Sequence, residues 1–194
     1  MRRFLTIVLM ATFLAPPAQS DTSFATALVA AARAQIGITT QYDPAYVRLS
    51  YPMGDVDRTK GVCTDVVIRA LRDAHNIDLQ ARVHRDMAAD FGAYPNNWGL
   101  TRPDKNIDHR RVPNLRRYFT RRGHSLPVGT NPQTYRPGDV VTWRLPGNLT
   151  HIGIVAEATA PDGTPLIIHN IGQGARRENI LFAFEITGHY RLSR

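Results

Sequence analysis

The period of the apolar residues changes once along this chain, near Pro137, and that change limits the folds open to it. Upstream, the spacing is helical. Thr22–Ile36 (TSFATALVAAARAQI) is alanine-rich, opens on Thr/Ser capping chemistry and stops at Gly37. Thr64–Ala74 sets Val66, Val67, Ala70 and Leu71 on one face and Arg69, Arg72 and Asp73 on the other. A short helix is expected over Ala81–Phe91, and Pro113 suits the first turn of a helix that runs to Arg121. Downstream of Pro137, the runs GDVVTWR, HIGIVAE and PLIIHN are short, β-branched and separated by turn signals such as Pro161-Asp162-Gly163. A last strand is expected over Glu185–Leu192. Helices followed by neighbouring antiparallel strands read as an α+β domain, and no repeat or composition shift marks a second one.

The chain opens MRRFLTIVLMATFLAPPAQS. Arg2 and Arg3, the apolar run Phe4–Leu14 and the small-x-small Ala18-Gln19-Ser20 together read as a signal peptide over residues 1–20, with an uncut anchor helix as the alternative. The apolar run is shorter than the roughly 20 residues of a membrane span. Residues 21–194 are then expected as a single exported domain, periplasmic or secreted, with no membrane span once the leader is cut. The charge narrows its partners. The chain carries a net +8, and Lys60 and Lys105 are its only lysines, so the positive charge is almost all arginine. Arginine forks onto carboxylates and phosphates with two parallel bonds. For an exported monomer this points to peptidoglycan or another acidic peptide-containing wall polymer rather than nucleic acid.

Export also makes the single cysteine conspicuous. Cys63, in KGVCTDVVIRALRDA, has no partner in the chain with which to form a disulfide. Such a thiol is an intermolecular link, a buried inert residue or a reagent. It follows Gly61 and precedes a helical pattern, so its sulfur is expected at a helix N-terminus, where the free N–H groups and the macrodipole favour an anion. A nearby imidazolium would lower its pKa further, whereas Asp65 would raise it or else cap the helix.

A nucleophilic thiol needs a base, and the base needs orienting. Of the seven histidines, His75, His124 and His189 read as surface residues, and His84 and His109 lie in loop-like segments. His151 starts one strand and His169 ends the next. If those strands are antiparallel neighbours, the two rings meet at one edge of the sheet; two structural histidines at strand ends are the alternative.

The motifs Cys-Thr-Asp-Val-Val, RPGDVVTWRLPGNLTHIGIVAE and LIIHN resemble, in order and spacing, those of NlpC-type cell-wall peptidases. More closely, GVCTDVVIRALRDA, NIDHRRVPNL, PGDVVTW, THIGIV and ITGHYR resemble a family of secreted bacterial proteins known as domain of unknown function 1287, over roughly Ala25–Arg191. The wider resemblance implies a papain-like fold with the cysteine at a helix start packed on a C-terminal antiparallel sheet. It implies Cys63 as nucleophile, His151 as general base and acid, His169 as its orienter, and the Cys63 backbone N–H in the oxyanion site. Tyr51, in SYPMG, resembles a tyrosine those enzymes bring to the active site, and Asn170 is a second candidate orienter. The chain departs from the pattern at the single Gly54 and at Val62, which implies a different substrate recognition.

Weaker features remain. NIDHRRVPNLRRYFTRRG carries the pairs Arg110–Arg111, Arg116–Arg117 and Arg121–Arg122, as a solvated helix face or as a carboxylate-binding groove. Trp98, Asp108, Arg110 and Arg111 are candidate substrate-binding residues. Trp98 and Trp143 suit core packing as well as a sugar or peptide platform. IGQGARR lacks the Walker lysine and reads as a turn. His84, His109, His151 and His169 with Cys63 lack the short spacings of a zinc site, so no metal and no cofactor is expected. The resulting expectation is a secreted thiol hydrolase that cuts an amide or peptide bond in peptidoglycan stems. An acyltransferase with the same residues and a non-catalytic wall-binding module stand as alternatives.

Overall fold

The computed structural model describes residues 19–193. The leader expectation falls on residues 1–18, which lie outside the described residues, and on the first two residues of α1 (Gln19–Arg33). Among the described residues no helix is long and apolar enough to cross a membrane. The elements that follow are β1 (Gln41–Tyr42), β2 (Lys60–Gly61), α2 (Cys63–His75), α3 (Leu79–Ala89), α4 (Val112–Arg121), β3 (Ser125–Leu126), β4 (Val140–Leu145), β5 (Leu149–Thr159), β6 (Pro165–Asn170), β7 (Ala175–Glu178) and β8 (Glu185–Tyr190). The change of period near Pro137 is therefore the change from helices to sheet, and the architecture is α+β.

The sheet is six-stranded and antiparallel in the order β3-β8-β4-β5-β6-β7. Its two faces follow from the alternation of side chains along each strand. Val140, Ile152, Ile154, Ala156 and Ile168 face a core shared with Leu28, Val29 and Ala32 of α1 and Val66, Val67 and Ala70 of α2. Val141, Trp143, Val155 and Ile167 face the other way and are covered by Tyr135 and Leu181. Trp143 is core, its indole N–H bonded to the carbonyl of Leu181.

Three parts were not legible in advance. The turn-rich segment contributes β1 and β2, which pair in parallel with Tyr42 opposite Gly61. β3 adds a two-residue edge strand. The expected IGQGARR turn runs straight into β7: Gly174, at φ +83°, lies so close to Thr39 that a Cβ would fall 2.5 Å from its carbonyl oxygen. The next N–H, of Ala175, donates to that same oxygen at 2.7 Å.

The arginine pairs of α4 lie on a largely exposed face, as one of the two expected readings has it, and their donors also brace the fold. Arg116 donates to the Thr187 carbonyl, Arg117 to that of Ala93, and Arg121 and Arg122 to Asp86. His189, expected at the surface, is buried. It stacks on Tyr135 and shares the buried Asp139 carboxylate with Arg191.

Candidate active site

α2 begins at Cys63. Its cap is built from within: the Asp65 carboxylate accepts the Val62 N–H at 2.7 Å, which satisfies one of the free donors of the first turn. The same carboxylate receives the Arg110 guanidinium as a fork, with Nε–Oδ1 at 3.0 Å and Nη2–Oδ2 at 2.9 Å. Both side chains are buried, so the pair is desolvated and each charge depends on the other. Arg110 spends further donors on the Ala45 and Asp43 carbonyls. One turn further along α2, the fully buried Arg69 grips Asp55 and the Lys60 carbonyl and so delivers β2 to the helix start. Only glycine fits between them: a Cβ on Gly61 would lie 2.9 Å from Oδ2 of Asp65.

Cys63 itself is only 5% exposed and lines a cleft of about 210 Å³ together with Tyr42, Trp98, Arg110, Arg111 and Thr150. Burial pushes its thiol pKa up to about 12. The backbone N–H groups of Ile152, Thr64 and Cys63 itself act against that rise, and the Asp65 charge adds to it. Desolvation thus outweighs the helix N-terminus that was expected to favour a thiolate, and shifts the balance toward the thiol.

The Ile152 N–H places the sulfur against β5, one residue beyond His151. His151 is buried beside its cross-strand partner Trp143, with ring centroids 5.7 Å apart. Its Nε2 lies 3.0 Å from Nδ1 of His169, so the two strand-end histidines do meet. Burial, and then His169, lower the His151 pKa to about 3. Burial also lowers that of His169, partly offset by Glu178, whose Oε2 lies 3.0 Å from His169 Nε2 but off the line of a good hydrogen bond. All three shifts thus favour the uncharged forms, against the expected help of an imidazolium to the thiolate.

The family comparison can be set beside this geometry. The family described as "Domain of unknown function (DUF1287)" matches residues 29–192. The chain belongs to that family. A relative, "Uncharacterized protein YijF" of Escherichia coli strain K12, is 56% identical over 173 residues, 89% of this chain and 83% of its own. Among solved structures, "NlpC1 from Trichomonas vaginalis" aligns with 90% of this chain at 13% identity and a TM-score of 0.44. This chain spans 45% of that protein.

Other expected site residues fall where the sequence did not place them. Tyr51 does not line the Cys63 cleft; it is 37% exposed, edge-on to His84, with the Lys105 ammonium 5.3 Å from its ring. The tyrosine in the cleft is Tyr42, whose pKa is raised by burial and then by the charges of Cys63 and Asp65. Only the parallel β1–β2 pairing brings it there, and no periodicity announces a two-residue strand. Asn170 points away from His169 and donates to the Gly61 carbonyl at 3.1 Å, a strut between sheet and cysteine loop rather than an orienter of His151. Asp108 is buried, accepting from Arg111 and from the Asp104 N–H, so it supports the cleft wall rather than facing a ligand. Arg111 lies over the exposed Trp98 with its guanidinium 4.0 Å from the ring. Glu178 was missed altogether, because its strand follows a glycine turn and carries no apolar alternation.

Proposed function

We propose that the protein is a thiol hydrolase of papain-like arrangement that cleaves an amide or peptide bond. One observation supports this reading above the others. A cysteine lines a cleft at a helix N-terminus, against the strand whose adjacent histidine is hydrogen-bonded at 3.0 Å to a second histidine. These are the residue types that a nucleophile, its base and an orienter of the base require, which supports the reading.

A nucleophile that starts as a thiol sets the order of proton transfer. As the Cys63 sulfur bonds to the substrate carbonyl carbon, the His151 ring takes the thiol proton. The carbonyl oxygen becomes an oxyanion beside the Cys63 backbone N–H. Collapse breaks the C–N bond, and the amine leaves with the proton from His151. Water, deprotonated by the same ring, then attacks the thioester and frees Cys63. With an amine acceptor in place of water the same residues would perform acyl transfer.

The leader-like N-terminus and the arginine-rich charge support an exported enzyme acting on acidic wall peptides. The cleft wall of Trp98 and Arg111 suits such a substrate, since a cation on an exposed ring offers both apolar contact and a carboxylate partner.

The test uses the purified protein with peptidoglycan stem peptides, read by mass spectrometry. New peptide termini with the native chain and none with Cys63→Ala support the reading. Intact peptides throughout a panel, with no thioester on Cys63, would sink it and favour the wall-binding alternative. Iodoacetamide checks the resting state: alkylation of Cys63 should be slow near pH 6 and rise with pH well past the ordinary thiol value of about 8.5. A plateau already reached near pH 6 would show a thiolate instead.

A further inference from the structure

We propose that Glu178 is a positioning residue of this site: by accepting the Nε2 proton of His169 it fixes the tautomers of both histidines and leaves Nδ1 of His151 as the open lone pair. The inference rests on the thiol-hydrolase reading for its purpose but on ring geometry for its content.

Each neutral imidazole carries one N–H and one lone pair. Between His151 Nε2 and His169 Nδ1, 3.0 Å apart, one ring must donate and the other accept. In the first arrangement His151 donates from Nε2. The His169 proton then sits on its own Nε2, toward Glu178, and His151 Nδ1 is free to act as a base. In the second arrangement His169 donates from Nδ1. The His151 proton then occupies Nδ1, where no base remains, and the bare Nε2 of His169 confronts a carboxylate oxygen at 3.0 Å. A carboxylate has only lone pairs to offer, and His169 is fully buried, its Nε2 making no well-aligned hydrogen bond among the described residues, so the Glu178 oxygen 3.0 Å away is the acceptor at hand. The second arrangement therefore sets two lone pairs against each other, and Glu178 selects the first.

The sheet register makes the contact structural rather than incidental. His169 pairs with Arg176 and Ile167 with Glu178, so Glu178 is the diagonal neighbour of His169 on the same face. Around it stand Arg176 and Arg177 of its own strand and Arg33 of α1, which with Ile36 line a surface concavity. Glu157 of β5 pairs with Arg33 and Arg177, and Glu178 pairs with His169.

Glutamine tests the idea more sharply than alanine, because its amide can donate to His169 Nε2 and so stabilise the wrong tautomer. Glu178 is 39% exposed on an edge strand, and its replacement leaves the core intact. Heteronuclear NMR of the ring nitrogens in the native chain should show both histidines protonated at Nε2. In Glu178→Gln the protons should move to Nδ1, and iodoacetamide alkylation of Cys63 near neutral pH should slow by about 10- to 100-fold, as for a lost orienting partner. Glu178→Ala, where water fills in, should give a mixture of tautomers and a smaller loss. Unchanged ring tautomers in Glu178→Gln overturn the proposal, and so does a tautomer change that leaves alkylation untouched. His151→Ala separates the two readings. If it leaves alkylation unaltered, the thiol-hydrolase reading falls, and the ring tautomers alone decide the part played by Glu178.

Discussion

Cys63 and His151 are held by opposite kinds of scaffold. The cysteine comes at the end of an irregular loop held by buried charge, with Arg69 on Asp55 and Arg110 on Asp65. The histidines come along regular antiparallel strands, and what joins them is a contact between neutral rings and a carboxylate at the sheet edge. Desolvated charge tolerates loss badly, because the surviving partner is stranded without water. A strand keeps its ladder when one side chain goes. The two halves of the proposed site should therefore fail differently.

The largest difference is expected from Asp65→Ala against His169→Ala. Asp65→Ala strands a buried guanidinium and uncaps α2, at about 3–5 kcal/mol of stability. His169→Ala should cost about 1–3 kcal/mol while slowing Cys63 alkylation. Urea unfolding of the two variants measures this, and equal losses would erase the contrast.

pH sharpens it next. The His151 and His109 pKa values are both lowered to about 3 by burial, so they favour folding above the unfolded value near 6.5. That contribution disappears as pH falls through the window down to about 3, where the folded rings must charge. Cys63 behaves in the opposite sense. With a folded pKa of about 12 it adds stability below the unfolded value near 9, lost as pH rises through that window. Urea midpoints across pH should thus decline on both limbs, and His151→Ala should flatten the acid limb only.

The smallest effect concerns the cleft wall. Trp98→Ala removes a half-open ring under Arg111 and should change stability by less than about 1 kcal/mol. Its signature should be a several-fold rise in KM for a cleaved acidic peptide with kcat little altered. A loss in kcat instead would place Trp98 with the reacting groups.

The same contrast explains what was readable from residues alone. α2, α4, β4, β5 and β6 announce themselves by period, and His151 and His169 inherit their places from the strands that carry them. The loop side does not announce itself. Tyr42 lies in a two-residue strand that exists only because it pairs with β2, and Arg110 looks like an open cation until Asp65 is found beneath it. The thiol is the clearest case. The helix start was visible in the sequence, but its burial depends on β5, nearly ninety positions away in register, and burial decides the protonation state.

That burial has a consequence for the chemical lifetime of the protein. Oxidation to sulfenic acid and exchange with foreign disulfides both proceed through the thiolate. A cysteine held as a thiol inside the fold is shielded from both until a reactant reaches the cleft and a base draws off its proton. In an oxidising compartment a lone sulfur kept in this way needs no disulfide partner to survive.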